Sequence, residues 1–392
     1  MSTTKLVIFL VLLPVCCFGQ QANINLDWNP QQNKENLTPY GAAINSPEVH
    51  ADGRVTFRVQ APEANHVELT GTALLIALGE SGRAVPFRKD DDGTWTLTVG
   101  PVRPDIYTYR LLIDDARVAD PNNSIASFAA APPTSKLVVH DDGPSWYDAQ
   151  NVPHGTVTRH IYHSEVTAGE RELYVYTPPG YDETRTYPVL YLLAGSSSLP
   201  SNWIFDGRVN FIMDNLLAEG RAEPMIIVVP NNQVVHRNHP RHADLTFDIF
   251  EQELRNHVIP IIDRKYATQA NPRGRALSGL SMGGRHTLFI GLRSPDLFGS
   301  LGILSAGDEN SEAVLADFLN DPAANDYFDY LFIGQGSVEE AQDFFNLRVA
   351  SLVDALKAHN IDHEYYAGGF GGHDWVTWRH LLYYRFLPQL WR

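Results

Sequence analysis

Cysteine is almost absent from this chain, because only Cys16 and Cys17 occur among its 392 residues. Both lie in the opening stretch MSTTKLVIFLVLLPVCCFGQ, where a basic Lys5 precedes an apolar core and small residues follow it. This is the pattern of a secretory signal peptide. Cleavage after Gly19 would leave a mature chain without cysteine, which excludes a disulfide framework and a thiol nucleophile.

We therefore expect a signal peptide over residues 1–19, an N-terminal extension over 20–45, and a secreted or periplasmic protein. Lipidation at Cys16 or Cys17 is the weaker alternative, because Val15 and Cys16 are unfavourable residues before a lipidated cysteine.

Positive charge is also scarce, with 30 basic against 46 acidic residues and a formal net charge of −16. Nucleic acids and anionic membranes do not attract an acidic surface, so we expect neither as a partner once the signal peptide is removed. The 44% hydrophobic and 19% charged residues indicate a globular protein. A chain of this length favours two domains.

Short alternating runs separated by turns fill residues 46–140. RVTFRVQA places Val55, Phe57 and Val59 on one face, and no helical stretch interrupts these runs. The pattern predicts an all-β, immunoglobulin-like antiparallel sandwich. Residues 141–155 are rich in turn formers and are the predicted linker.

Continuous apolar runs alternate with amphipathic stretches over residues 156–392, as in YPVLYLLAG followed by VNFIMDNLLAEG. Strands that are apolar on both faces and spaced by helices predict an α/β domain with a mostly parallel central sheet. Ligands bind such sheets beyond the carboxyl ends of the strands.

The segment RALSGLSMGGRH contains Gly279-Leu280-Ser281-Met282-Gly283, which fits the G-x-S-x-G pattern of a nucleophile elbow. About one chain in ten of this composition would contain the pattern by chance, so its context decides. Ser281 falls between a predicted strand and a predicted helix, where a sharp turn would expose its hydroxyl. The Met282 amide would then face an oxyanion formed at Ser281.

A serine nucleophile needs a histidine to accept its proton. His373 lies in the glycine-rich loop of HEYYAGGFGGHDWVTW, after the last predicted strand. Its rivals are His363, at the start of a strand, and His380, in the C-terminal helix.

A carboxylate must orient that histidine, and it should follow the strand that precedes the last predicted strand in sequence. The segment YLFIGQGSVEEAQD offers Glu339, Glu340 and Asp343, of which Glu339 is preferred. Asp308 in SAGDEN is an outside candidate.

The second oxyanion donor should come from the loop after the third strand, LLAGSSSLPSNW, where we assign the Ser196 amide.

Trp203, His236 and Trp375 are candidate substrate-binding residues, although tryptophans beside a catalytic loop are more often buried. His236, His239 and His242 do not indicate a metal site, because Pro240 interrupts their spacing. We expect no metal and no other cofactor.

From about Ser46 to the C-terminus the chain resembles carbohydrate esterase family 1, the feruloyl and acetylxylan esterases, with an N-terminal module similar to the starch-binding and isoamylase-type sandwich. The phrases that carry the resemblance are YTPPGY, YPVLYLLAG, DNLLAEGRAEPMIIVVPN, GLSMGG, LSAG and GGHDWVTWRHLLYYRFLP. It implies an α/β-hydrolase fold, Ser281 as nucleophile, His373 as base, and Met282 and Ser196 as oxyanion amides.

Two positions depart from this family. Ala194-Gly195 stands where the family usually has His-Gly, and Glu339 stands where it usually has Asp. Backbone amides build the oxyanion hole, and glutamate also serves in triads of this fold, so neither departure need abolish activity.

The resemblance implies a serine esterase that removes feruloyl or acetyl groups from xylan or xylo-oligosaccharides through an acyl-enzyme. The sandwich would be a carbohydrate-binding or docking module. Two alternatives stay open: a siderophore esterase of the enterochelin type, and a carbohydrate-binding protein whose hydrolase domain is catalytically impaired.

Overall fold

The structure is a computed structural model that describes residues 44–80, 84–129, 132–141, 143–341 and 343–392, without the side chains of 343–345. The predicted signal peptide, 1–19, and residues 20–43 of the predicted extension lie outside the described residues. Within the described ranges, no helix is both long and apolar enough to cross a membrane.

The N-terminal module is a sandwich of two antiparallel sheets. One sheet has the strand order β1-β2-β6-β5, and the other has the order β4-β3-β7-β10-β9 with β8 paired to β7. Val55, Phe57 and Val59 on β2 point into the core, as their alternation predicts. The strands are β1 Glu48–Val49, β2 Val55–Gln60, β3 Val67–Thr70, β4 Val85–Pro86, β5 Arg88–Lys89, β6 Thr94–Val99, β7 Asp105–Ile113, β8 Ala116–Val118, β9 Ala126–Ser127 and β10 Thr134–Val139.

The expectation that no helix interrupts the sandwich is wrong. Helix α1, Thr72–Ala77, follows β3 directly. Gly71 has φ 156°, which turns the chain out of the strand, and a Cβ there would lie 2.5 Å from the Thr108 carbonyl oxygen. Leu74 and Leu75 are then buried in consecutive positions on one side of a short helix. A search for alternating apolar and polar residues does not detect this pattern.

The C-terminal domain contains an eight-stranded sheet with the order β11-β12-β14-β13-β15-β16-β17-β18. β11 pairs with β12, and β12 with β14, in antiparallel fashion. The remaining neighbours are parallel. The strands are β11 Thr156–Ser164, β12 Gly169–Thr177, β13 Val189–Leu193, β14 Ile226–Pro230, β15 Arg275–Leu280, β16 Ser300–Leu304, β17 Tyr330–Gly336 and β18 Glu364–Gly368.

Helices follow the parallel strands and cover both faces of the sheet. Two of them, α4 and α6, pass through a π turn, and a third π turn follows α12. The helices are α2 Ser201–Phe205, α3 Val209–Ala218, α4 His242–Glu253, α5 Ile259–Lys265, α6 Met282–His286, α7 Ser311–Val314, α8 Ala316–Leu319, α9 Ala324–Tyr327, α10 Ser337–Glu340, α11 Asp343–Ala358 and α12 Trp375–Leu381.

β13 shows why the sheet needs cover on both sides. All five of its residues are buried. Val189, Tyr191 and Leu193 belong to the core on one face, and Leu190 and Leu192 belong to the core on the other. This two-sided burial confirms the predicted α/β fold class, preceded by a β-sandwich.

The two modules share a buried, charged contact. Arg379 on α12 is 1% exposed and donates to the Asp105 carboxylate at 2.5 Å, the Ile106 carbonyl at 2.9 Å and the Asp206 carbonyl at 2.7 Å. Burial raises the pKa of Asp105. Loss of either partner would leave a dry, unpaired charge, which is strongly destabilising.

The predicted linker packs against the C-terminal domain instead of spanning open solvent. Trp146 stacks on Tyr383 with ring centroids 4.7 Å apart. The Asn215 side chain donates to the carbonyls of Trp146 and Asp148, at 2.8 and 2.9 Å. Turn-forming residues therefore mark the boundary, but the aromatic residues among them fix its path.

The helix that follows Ser281 contains a fully buried histidine. His286 is 0% exposed, and its ring packs edge-on against Phe250 at 5.1 Å. It makes hydrogen bonds with the Met282 carbonyl at 2.9 Å and the Thr246 hydroxyl at 3.3 Å. Burial lowers the pKa of His286 to about 4 from an ordinary value of 6.5.

We expect His286 to make the domain less stable in mild acid. The unfolded chain binds a proton at this histidine below about pH 6.5 and the folded chain only below about pH 4, so stability falls as the pH drops through that window. At pH 4.5 this amounts to roughly 2 to 3 kcal/mol. Denaturant unfolding at pH 7 and pH 4.5 should show a smaller acid loss for His286→Asn, which keeps an N–H donor, than for the wild type. Equal losses in both proteins would contradict this assignment.

Candidate active site

Ser281 occupies a sharp turn between β15 and α6. Its backbone has φ 53° and ψ −116°, a conformation that is strained for a residue with a side chain. The Ser281 amide donates to the Leu304 carbonyl at 2.9 Å, and its carbonyl accepts from the Arg285 amide at 3.0 Å. The turn is thus held by the neighbouring strand and by the helix that follows, and it presents the hydroxyl at the carboxyl edge of the sheet.

The glycines of the motif are required by close backbone contacts. A Cβ on Gly279 would lie 2.5 Å from the Gly283 carbonyl carbon, and a Cβ on Gly283 would lie 2.6 Å from the Leu193 carbonyl oxygen. The β15 turn therefore packs against the end of β13 with no space for a methyl group. This explains why the G-x-S-x-G spacing is informative here.

The structure brings together the three side chains predicted to carry the chemistry. His373 Nε2 lies 2.8 Å from Ser281 Oγ, and His373 Nδ1 lies 2.5 Å from Glu339 Oε1. An ionised carboxylate can only accept, so Nδ1 carries the proton and Nε2 is left to accept from the serine hydroxyl. This is the tautomer that a general base for Ser281 requires.

Glu339 is completely buried, and each of its carboxylate oxygens has partners. Oε2 accepts from the Ser305 hydroxyl at 2.7 Å and from the Gly336 amide at 3.1 Å, while Oε1 faces His373. Trp378 adds a second layer, because its indole N–H donates to Ser305 Oγ at 3.0 Å. The extra methylene of glutamate is therefore accommodated by a pocket built around it.

The other residues considered for these two positions lie elsewhere. Asp308 pairs with Arg285 at 2.9 Å, and Glu340 accepts from the Tyr365 hydroxyl at 3.0 Å. His363 contacts the Ile361 carbonyl and His380 contacts the Tyr366 hydroxyl. The side chain of Asp343 lies outside the described part of the structure.

The loop after β13 lies against the elbow. A Cβ on Gly195 would lie 3.5 Å from the Cβ of Ser281. Two side chains from the segment after β14 hold this loop: Asn232 donates to the Ala194 carbonyl at 2.8 Å, and Gln233 donates to the Gly195 carbonyl at 2.9 Å. These contacts fix the loop without the imidazole that the resemblance would place at position 194.

A cavity of about 620 Å³ opens above Ser281. Ser196 and Met282, predicted to supply the oxyanion amides, both line it. Met282 is also the first residue of α6, where backbone amides have no partner within the helix. The lining residues are Gly195, Ser196, Ser198, Arg237, His242, Leu280, Ser281, Met282, Arg285, Ser305, Ala306, Gly307, Arg348, His373 and Trp378.

The three predicted substrate-binding side chains do not line this cavity. Trp203 is 0% exposed and donates to the Leu193 carbonyl at 2.9 Å, so its assignment is wrong: the large indole fills the core and satisfies its N–H there. Trp375 packs edge-on against Trp203 at 5.2 Å. His236 is exposed outside the lining, at a turn where its Nδ1 accepts from the Asn238 amide at 3.2 Å.

Sequence reasoning missed several residues that the structure places at the site. Arg237 follows His236 in the same loop, and it lines the cavity. His242, considered from the sequence as one of three histidines in a possible metal site, is the first residue of α4 and also lines the cavity. Asn232 and Gln233 follow a buried strand in the phrase VVPNNQ, and polar residues directly after a parallel strand were a usable signal. Ser305 lies in the phrase LSAG and could have been found in the same way.

The described residues contain no group of three or more histidine, cysteine, aspartate or glutamate side chains that could hold a metal ion. His236 and His239 each accept from a nearby backbone amide, at 3.2 and 3.1 Å.

Two family models match the chain. The model described as putative esterase covers residues 164–387, and carbohydrate-binding module 48, the isoamylase N-terminal domain, covers residues 39–127. An endo-1,4-beta-xylanase/feruloyl esterase of Xylanibacter ruminicola is 32% identical over 344 residues. That match spans 86% of this chain and 44% of the relative, so the chain covers less than half of the relative's length.

Solved structures agree with the fold. A carbohydrate esterase family 1 ferulic acid esterase from Anaeromyces mucronatus, in complex with ferulic acid, is 27% identical with a TM-score of 0.55, over 65% of this chain and 98% of that one. The enterobactin esterase of Shigella flexneri is 16% identical with a TM-score of 0.64, over 86% and 93%; at that identity it shows the fold alone.

The resemblance drawn from the sequence is thus confirmed for both modules. The chain belongs to the putative esterase family, with an α/β-hydrolase domain preceded by a carbohydrate-binding module 48.

Proposed function

We propose that this protein is a secreted or periplasmic serine esterase that removes feruloyl or acetyl groups from xylan. One observation carries the catalytic part: Ser281, His373 and Glu339 form a continuous hydrogen-bonded chain that opens into a cavity. The names of its relatives support the substrate, and the N-terminal pattern supports secretion.

The geometry of the three side chains supports the following reaction. Ser281 Oγ attacks the ester carbonyl carbon while His373 Nε2 takes the hydroxyl proton. The carbonyl oxygen becomes an oxyanion that accepts hydrogen bonds from the Met282 and Ser196 amides. Collapse of this intermediate breaks the bond to the sugar oxygen, which receives the proton from His373 and leaves as the alcohol.

The acyl group is now bonded to Ser281. His373 next removes a proton from water, whose oxygen attacks the acyl carbon, and the second tetrahedral intermediate releases the acid and restores the serine. In both halves Glu339 holds the imidazole in the required tautomer and stabilises its protonated form. No metal or cofactor is needed for these steps.

A siderophore esterase is the second candidate. The observation that favours it is the enterobactin esterase, whose structure aligns over 86% of this chain and so extends into the N-terminal module. The xylan assignment is preferred because the relatives named for feruloyl esterase activity are 27% to 32% identical to this chain, against 16%.

We expect the wild type to hydrolyse methyl ferulate and p-nitrophenyl acetate, and Ser281→Ala to lose at least about 10³-fold in kcat, because the attacking oxygen is gone. Thr184→Ala is the matched control: it removes a hydroxyl from an exposed turn where the partner is Asp182. Thermal unfolding should show that both variants are folded.

Failure of the wild type on every ester, with retained binding to xylan, would support the impaired carbohydrate-binding alternative and refute the proposal. Hydrolysis of enterobactin without activity on methyl ferulate would select the siderophore alternative.

We expect Glu339→Gln to lower kcat by about 10³- to 10⁴-fold with little change in KM, because a neutral amide neither stabilises the imidazolium nor fixes its tautomer. Glu339→Asp keeps the charge but shortens the reach to His373, so its loss should be smaller, about 10- to 100-fold. Steady-state kinetics on methyl ferulate measures both. Glu340→Gln is the matched control one residue away, and a larger loss there than at Glu339 would overturn the assignment.

A further inference from the structure

The loop that carries His373 is rich in glycine. It runs from Gly369, with φ 79°, through Phe370, Gly371 and Gly372 to the histidine. Glycines give a backbone many accessible conformations. The short contacts of His373 with Ser281 and Glu339 therefore depend on external support for this loop.

The C-terminal domain supplies part of that support. Asp374 accepts from the Gly372 amide at 2.9 Å, and the Thr377 hydroxyl donates to the Gly372 carbonyl at 2.6 Å. Both contacts tie the loop to the start of α12. They do not hold Phe370.

The N-terminal sandwich also contacts this loop. Ile76 on α1 reaches the loop, because a Cβ on Gly372 would lie 2.8 Å from the Ile76 Cδ1 atom. The Arg103 guanidinium lies over the Phe370 ring, 4.2 Å from its centroid. Val376, on the first turn of α12, is 3% exposed and belongs to the hydrophobic core of the sandwich.

Both sides of this contact are rigidly placed. α1 is anchored by Leu74 and Leu75, which are 0% and 3% exposed. α12 is anchored to β7 by the buried pair of Arg379 with Asp105. The sandwich thus presents a fixed surface to the residue next to the histidine.

We propose that the N-terminal sandwich positions His373, with Ile76 and Arg103 as positioning residues. This inference rests on the proposed role of His373 as the base. The sandwich would then affect the rate of ester cleavage through the position of His373, whether or not it also binds polysaccharide. Esters too small to reach a glycan site on the sandwich should therefore respond to changes at Ile76.

We expect Ile76→Ala in the full chain to lower kcat on methyl ferulate about 10- to 100-fold, since small misplacements of a catalytic group have effects of that size. KM should stay within about twofold. The rate of Ser281 modification by diisopropyl fluorophosphate, which also needs a well-placed base, should fall in parallel. Ile76→Leu, which restores a methyl group of similar reach, should recover most of both rates.

Val49→Ala is the matched control, because Val49 is a 36% exposed aliphatic residue on β1 of the same module. Thermal unfolding should place both alanine variants close to the wild type. An unchanged kcat for a folded Ile76→Ala protein, or a loss confined to polymeric xylan, would overturn the proposal. Inactivity of the wild type on methyl ferulate would instead refute the proposed function.

A second observation concerns the charge of the cavity above Ser281. Arg237, Arg285 and Arg348 line it, and no carboxylate is found among the described residues of the lining. The partner acids of two of these arginines, Asp308 and Glu309, lie outside the lining. Those ion pairs offset part of the charge of Arg285 and Arg348, which leaves Arg237 as the main source of positive charge in the lining.

His242 lies beside Arg237 in the lining of the same cavity. Burial, and after it the charge of Arg237, lower the pKa of His242. A feruloyl or acetyl ester is neutral and does not require a cation such as Arg237 beside it. An anionic group on the substrate would be attracted into the cavity and held there.

We infer that this site prefers esters that carry a carboxylate close to the scissile bond, either on the sugar side, as in a uronic acid, or on the acyl side. The inference deepens the proposed function. Two matched pairs of substrates separate the sources: carboxymethyl ferulate against ethyl ferulate, and p-nitrophenyl hemisuccinate against p-nitrophenyl butyrate. The neutral member of each pair tests esterase activity by itself.

In at least one pair we expect kcat/KM at low salt to favour the anionic ester by about tenfold. This advantage should be smaller in 0.5 M salt, because the Debye screening length is then only about 4 Å. Arg237→Gln should remove most of this advantage and leave the neutral ester much less affected. Arg88→Gln, at an exposed position on the sandwich, is the control. Equal or lower rates for the anionic esters in both pairs would refute the inference.

Discussion

The buried carboxylate of Glu339 is the constraint on which the site depends. A charge removed from water is costly unless hydrogen bonds compensate it, and the compensation here comes from three directions. Ser305 follows β16, Gly336 ends β17, and His373 follows β18. Satisfying one carboxylate therefore fixes the relative positions of three neighbouring strand ends, and with them the histidine that faces Ser281.

The same edge of the sheet supplies the other parts. Ala194 follows β13, Asn232 follows β14 and Ser281 follows β15, so the carboxyl ends of consecutive parallel strands each contribute one element. Their spacing is set by backbone hydrogen bonds between strands and does not depend on loop conformation alone. The strained turn at Ser281 is tolerated because β16 and α6 both hold it.

Much of this could be predicted from sequence because local patterns encode it. GLSMGG specifies a sharp turn whose flanking glycines are required by close backbone contacts, and the order of Glu339 and His373 follows the order of the strands. The failures have physical causes as well. Trp203 belongs to a core whose filling depends on distant residues, α1 is too short to show helical periodicity, and the contact of Ile76 with Gly372 joins positions almost 300 residues apart in sequence. The spacing of residues in the sequence does not reveal contacts between such distant positions.

The buried contact of Arg379 determines whether the two modules can be separated as independent domains. Family models divide the chain into a carbohydrate-binding module and an esterase, which invites treatment of the two as exchangeable units. The guanidinium, however, makes a buried ion pair with a residue of the sandwich, Asp105. An isolated esterase domain would expose this arginine and the apolar surface around it. Separation of the two modules would therefore require redesign of both contacting surfaces.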